Sequence, residues 1–286
     1  RRPPRSTHCI SSAASDVYKR QDIRLTDKSR SELHTPTKQT LNNNYKINLL
    51  RKMREKITRK GDIKKVIYDE EHWRLLNQLR EKAMKIMRGL KKNGLETIIH
   101  GSIVRGDVHK KSDIDIVIPY PTPSYKVGIA LDQLNKKLQS IELIQATPSH
   151  MIKAHIKIDN ITTITFPMIK FRRLEREFYR FGGEATLEEL EMKIRKPGVS
   201  KKLLLIKPNE DGHTEMPIIG REAETAKIIG VSIEIVKERI RVLKRRDEIG
   251  RTGTYLKRIL MPDENIEKVF KELIERDPAI RRRSRI

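Results

Sequence analysis

The chain has 286 residues, a net charge of +24 and a mean hydropathy of −0.63. That balance attracts polyanions, and no apolar run approaches the length of a membrane-spanning helix, so no membrane partner is expected. The single cysteine, Cys9, leaves the rest of the chain without a thiol, which excludes a disulfide framework and thiolate metal sites and fits a cytoplasmic protein.

Residues 1–21, RRPPRSTHCISSAASDVYKRQ, resemble a translated sequencing-adapter tail, and residues 22–52 read as translated upstream DNA or a disordered leader, being polar and rich in Asn, Thr and Ser. No methionine precedes Met53, which makes Met53 the expected natural start and leaves 234 residues, 286 less 52. A genuine basic leader is the alternative. Each of the two segments carries +4, so the portion from Met53 retains +16 of the +24. A lysine- and glutamate-rich thermophilic surface is the bland reading of that charge; the excess of base favours a polyanionic partner.

From there the spacing predicts a helix over 69–92, with Trp73, Leu76, Leu79, Ala83, Ile86, Met87 and Leu90 on one stripe and Gly94 as its stop. Strands are expected at 98–100 and 112–118, the second stopped by Pro119, then a helix at 127–138 and a strand at 140–145. Residues 155–158 and 162–166 alternate around Asp159-Asn160 as a hairpin. The order suggests an α/β (α+β) fold, a small mixed sheet with helices on one face. The core is expected over 53–171.

Residues 172–219 read as an α/β extension and linker: a Gly182-Gly183 turn, a capping box at Thr186 opening a helix to about Arg195, a short strand at 203–206, and a loop from Pro208 to Gly212. Residues 220–286 form the last expected domain, with helices at 222–229 and 232–245, Ser232 as N-cap, a strand at 256–260, a helix at 265–276 and the basic tail Arg281-Arg282-Arg283-Ser284-Arg285.

The chemistry concentrates between His100 and Ile118, HGSIVRGDVHKKSDIDIVI. Asp113 and Asp115 are two apart, so on a strand they share a face. Adjacent carboxylates repel unless a cation sits between them, and oxygen-only ligands suit Mg²⁺, or Mn²⁺, together with substrate phosphates. Gly101 permits close backbone approach and Ser102 offers a hydroxyl to a phosphate oxygen. Arg105 either pairs with phosphate or braces the loop through Asp107. His100 and His109 read as ordinary loop polar residues.

Gly101-Ser102, Arg105-Gly106 and Ser112-Asp113-Ile114-Asp115 together resemble the nucleotidyltransferase superfamily typified by DNA polymerase β, over about residues 69–170. The pattern is close to the minimal nucleotidyltransferases of archaea and bacteria. The chain from Met53 also resembles archaeal nucleotidyltransferases with a C-terminal helix-turn-helix-like region. The resemblance implies attack of a hydroxyl on the α-phosphate of a nucleoside triphosphate, with Asp113 and Asp115 as metal-holding catalytic residues and Gly101, Ser102 and Arg105 binding nucleotide. The family's third carboxylate is not evident: Thr163 and Thr165 occupy the strand where an acid is expected, and Asp159 is a weak candidate at the turn. A degenerate, nucleotide-sensing regulator is therefore the second reading.

The segment 223–260 looks like a winged helix, with Lys237, Arg241, Lys244 and Arg245 on its second helix and Arg251 and Lys257 in a basic wing. Such a face would bind RNA or DNA phosphates with little sequence information. A helical domain with a merely basic surface, packed on the catalytic sheet, is the alternative.

Overall fold

The computed structural model describes residues 57–59, 61–250 and 253–285. The expected leader, 1–52, and Arg251 lie outside the described residues. In chain order the elements are β1 (Lys64–Ile67), α1 (Glu70–Lys92), β2 (Ile98–His100), α2 (Ser102–Arg105), β3 (Ile114–Val117), α3 (Ser124–Gln133), β4 (Ser140–Gln145), β5 (Ile152–Lys157), β6 (Thr162–Pro167), α4 (Arg173–Phe181), β7 (Glu184–Thr186), α5 (Leu187–Glu191), β8 (Gly198–Val199), β9 (Leu204–Asn209), β10 (Gly212–Pro217), α6 (Glu222–Ile229), α7 (Ile233–Glu248), β11 (Leu256–Ile259), α8 (Ile266–Arg276) and α9 (Pro278–Ser284).

Seven strands make the main sheet in the order β11-β4-β5-β6-β3-β2-β7, with β3 and β6 parallel and the other pairs antiparallel. This is the expected mixed α/β architecture. One face carries Ile114, Ile116, Ile156, Ile164 and Phe166, which pack with Leu76, Ala83, Ile86 and Met87 of α1, Leu131 of α3 and Val269 of α8. Burying each large side chain contributes about 1.5–3 kcal/mol. α1 starts where the Asp69 side chain accepts from the His72 N–H at 2.8 Å, and it ends at Asn93 before Gly94 at φ +71.

A second, four-stranded sheet, β1-β10-β9-β8, was not foreseen. The segment from Pro208 to Gly212, expected as a loop, instead closes the β9–β10 hairpin. Pro208 is compatible with this because it pairs only with His213 of β10, while β8 meets β9 at Ile206 and Leu205. Gly212 is required by close packing, since a Cβ there would lie 2.1 Å from the Val66 carbonyl oxygen. α4 is a further unpredicted element. It places Tyr179 and Phe178 against Ile98 and Val117, so helices occupy both faces of the main sheet at this end.

Three expectations at the C-terminal end are corrected. The strand at 256–259 is no wing: it pairs antiparallel with β4, Leu256 opposite Gln145 and Ile259 opposite Glu142, as the edge of the main sheet. Leu260, Ile266, Val269 and Ile280 are buried in the main core. Ser232 does occupy the N-cap position of α7, but its N–H and hydroxyl donate to Glu177 of α4 and not back to the helix. The α3 helix also runs earlier than expected, 124–133 and not 127–138, and Asn135 with φ 51 follows its end.

Candidate active site

The site is built where β2 hands over to α2 and where β3 begins. Gly101 has φ +95 and its N–H donates to the Gly183 carbonyl at 2.9 Å, which only glycine does without strain. Arg80, on the buried stripe of α1, donates to the carbonyls of Ile103, Val104 and Ile194 at 3.0–3.2 Å and so fixes α2. Burial pushes its guanidinium pKa down to about 10, aided by Arg195. Sequence reasoning missed Arg80; its signal was a charge four residues after Leu76 and three before Ala83, in the middle of an apolar stripe.

Asp113 is exposed just before β3, Ile114 is fully buried and Asp115 is half-exposed, and Asp113 is close enough to Asp115 to feel its charge. Burial raises the Asp113 pKa first and the charge of Asp115 adds to it. Asp115 is likewise raised by burial, against the pull of Lys201 and Lys153. Two carboxylates that resist ionising together are a donor set relieved by a divalent cation. Ser102 Oγ lies 3.3 Å from Ser112 Oγ, which in turn accepts from the His109 N–H at 2.9 Å. The Gly101-Ser102 turn and the segment leading into Asp113 are thus tied together by a serine pair.

Arg105 is buried. Its guanidinium donates to Asp107 at 2.9 Å and to the Gly182 carbonyl at 2.5 Å. It braces the loop, the second of the two roles open to it, and does not project towards a ligand. His100 Nε2 is 3.9 Å from Asp115 Oδ2, too far for a hydrogen bond. Burial, with Lys153 and Arg105, pushes its pKa down to about 3, so it is neutral. His109 is exposed and its Nδ1 accepts from the Lys111 N–H.

Asp159, the candidate third acid, is engaged by other groups. It sits at the β5–β6 turn, accepts from the N–H groups of Ile161 and Thr162 at 3.0 and 2.9 Å, and pairs with Lys82 of α1 at 2.8 Å. The position beside Asp115 on β6 is Thr163, and Thr165 sits beside Val117. Among the described residues, no group of three or more His, Cys, Asp or Glu side chains is placed to hold a metal ion. The chemistry of the donor set fits one hard cation held by Asp113 and Asp115, with phosphate oxygens completing its shell.

On α7, Lys237, Arg241, Lys244 and Arg245 come together with Glu222, Ile240 and Glu248 around a cavity of about 420 Å³. Lys257 is not among its lining residues: it stands on β11 and lies 3.4 Å from Glu142.

Comparison with known proteins gives one match. The family model described as "Nucleotidyltransferase domain" matches residues 80–178, from Arg80 on α1 to Phe178 on α4, and so encloses the glycine-serine turn and both aspartates. No curated protein and no solved structure matches the chain.

Proposed function

We propose that this chain, whose residues 80–178 match a nucleotidyltransferase domain, moves a nucleoside monophosphate from a triphosphate to a hydroxyl at the end of a nucleic acid: the hydroxyl oxygen bonds to the α-phosphorus, the bond from that phosphorus to the β-phosphate breaks, and pyrophosphate leaves. The observation that supports this reading is the pair of neighbouring carboxylates, Asp113 and Asp115, where the chain enters β3, with the adjacent Ser112 bonded to Ser102 of the glycine-serine turn. Asp113 and Asp115 would hold Mg²⁺ or Mn²⁺, which when bound supplies positive charge to the triphosphate and acidifies an attacking hydroxyl. Ser102 donates its hydroxyl to a phosphate oxygen, and Gly101 lets the backbone approach it. Arg80 and Arg105 keep α2 and the loop in place, so the cradle needs no rearrangement when substrate arrives. The nucleic-acid partner is supported by the charge of the chain and by Lys237, Arg241, Lys244 and Arg245 on α7, none of which has an ion-pair partner among the described residues. The near absence of cysteine accords with a cytoplasmic location.

A second reading, nucleotide binding without turnover in a nucleic-acid-binding regulator, is favoured by Thr163 beside Asp115 where the family places an acid. One experiment separates the two: incubation of the protein with labelled triphosphates, Mg²⁺ or Mn²⁺, and RNA or DNA acceptors. Transfer that is lost in Asp113→Asn/Asp115→Asn supports the enzyme. Transfer that persists unchanged in that variant refutes the site. Tight nucleotide binding with no transfer to any acceptor supports the regulator.

A further inference from the structure

The main sheet has one face filled by α1, α3 and α8, and another that is polar. Register defines this second face. Asp115 stands opposite Thr163, Thr165 opposite His155, His155 opposite Glu142, and Glu142 opposite Ile259. Lys153 and Lys157, two positions either side of His155 on β5, share it, as does Lys257, two residues before Ile259 on β11. α4 covers its β2–β3 end through Tyr179, but Thr163, His155, Lys153 and Lys157 are half-exposed and Lys257 and Ile259 are exposed.

The charges on this face are unequal. Its carboxylate beyond Asp115 is Glu142, and two lysines share it, Lys157 at 3.0 Å and Lys257 at 3.4 Å. Burial would raise the Glu142 pKa, yet the two ammonium groups hold it below its ordinary value. Lys153 has no carboxylate partner among the described residues; its ammonium lies over the rings of Tyr179 and Phe178, 5.0 and 5.5 Å from their centroids. His155 is kept neutral at about pKa 4, by burial and then by Lys153. Between the lysines the half-exposed Thr163 hydroxyl and the neutral His155 ring, held from beneath by the buried Thr165 hydroxyl at 3.3 Å, leave a polar surface on which the Lys153 charge has no carboxylate to match it. Its apolar members among the described residues are Ile144, half-buried between Lys153 and Lys257, and Ile259 at the edge, and neither is the aromatic or arginine anchor that dominates protein interfaces.

We propose that this polar face, leading from Asp115 across Thr163 and His155 to Lys153, Lys157 and Lys257, is the track on which the acceptor lies, and that it takes a single nucleic-acid strand by its phosphates. The proposal rests on the transferase reading for its direction, towards Asp115, but binding to the track needs no turnover. With no stacking platform for bases, binding is indifferent to sequence and depends strongly on salt. Lys153 and Lys157 are four residues apart on one strand, about 13 Å at ~3.3 Å per residue, long enough to meet successive parts of one backbone. Glu142 is then a mask, holding two of the three lysines in part away from phosphate.

The test is titration of the full chain with a fluorescent 12-nucleotide oligouridylate or oligothymidylate at several salt concentrations, without triphosphate. Lys153→Gln/Lys157→Gln/Lys257→Gln combined with Glu142→Gln, which leaves no unpaired buried carboxylate, should bind at least tenfold more weakly at low salt. Its plot of log affinity against log salt should flatten by about 2, at ~0.7 for each phosphate that the variant no longer neutralises on a single strand. Glu142→Gln alone should act in the opposite direction and bind severalfold more tightly. This single variant keeps the test decisive if the quadruple variant does not fold. Unchanged affinity and slope in the quadruple variant, or no tightening in Glu142→Gln, would overturn the proposal. Because these titrations read binding alone, a failure to transfer nucleotide would leave them standing and would count against the transferase reading only.

Discussion

Removing the chain after Ile249 should unfold the main sheet, although the segment that matches the nucleotidyltransferase family model ends at residue 178. The deletion takes away β11, which pairs with β4 along 256–259, and leaves that edge of the main sheet open. It also takes away Leu260, Ile266, Val269 and Ile280, which are 7, 3, 5 and 1 % exposed. At about 1.5–3 kcal/mol for each large apolar side chain, the four contribute about 6–12 kcal/mol. A typical domain has only about 5–15 kcal/mol in total. Circular dichroism and urea unfolding of the shortened chain should show no cooperative transition. A cooperative transition at a midpoint close to that of the full chain would refute the reasoning and restore an independent C-terminal module.

Further consequences concern single residues. Arg283 and Glu175 are a buried pair at 2.7 Å, with side chains 4 and 7 % exposed, so Arg283→Met should cost about 3 kcal/mol by leaving the Glu175 carboxylate with only the Met151 and Arg172 N–H groups and no counter-charge; adding Glu175→Gln should recover part of it, and an unchanged urea midpoint in the single variant would contradict this. Asp159→Asn should leave nucleotide transfer within a few-fold of the parent and lower stability modestly. Because Lys82 and two turn N–H groups outweigh the effect of burial and hold the Asp159 pKa down, its contribution is present above the ordinary aspartate pKa and is lost as pH falls through the lowered one. The stability gap between parent and variant should therefore close in acid, and a transfer rate that collapses at neutral pH would make Asp159 a catalytic acid after all. Gly198→Ala would set a Cβ 2.4 Å from the nitrogen of Gly183, the residue whose carbonyl fixes Gly101, so it should cost about 1–3 kcal/mol and slow transfer; an unchanged melting temperature and rate would show this packing to be slack.

What was legible in the sequence was whatever local chemistry determines. The α1 stripe, the Thr186 capping box and the Asp-Ile-Asp alternation each follow from spacing and side-chain type, and each appears as expected. The closeness of Asp113 to Asp115 was legible for the same reason. What local pattern does not encode is partner choice. The segment 256–259 alternates like a strand wherever it is placed; only the free edge of β4 made it part of the main sheet instead of a wing. β10 was hidden because Pro208 and the Glu210-Asp211-Gly212 turn look like a linker until β1 arrives from about 145 residues away to complete the sheet. α4 carries Leu174, Phe178 and Phe181 at helical spacing among charged residues, and that pattern shows its meaning only once the second core around Val199, Leu205, Ile235 and Val236 is seen to need cover. The roles of Arg105 and Asp159 turned on distance: both were placed among the candidates by composition, and both are held by neighbours that the sequence does not put beside them.

The central claim is that Asp113 and Asp115 together hold a divalent cation beneath a triphosphate. Electron paramagnetic resonance of Mn²⁺ titrated into the full chain with ATP tests it most directly. Protein-bound Mn²⁺ is expected for the parent, with affinity weakened at least tenfold in Asp113→Asn/Asp115→Asn while the melting temperature does not fall. Equal Mn²⁺ affinity in parent and variant would contradict the account.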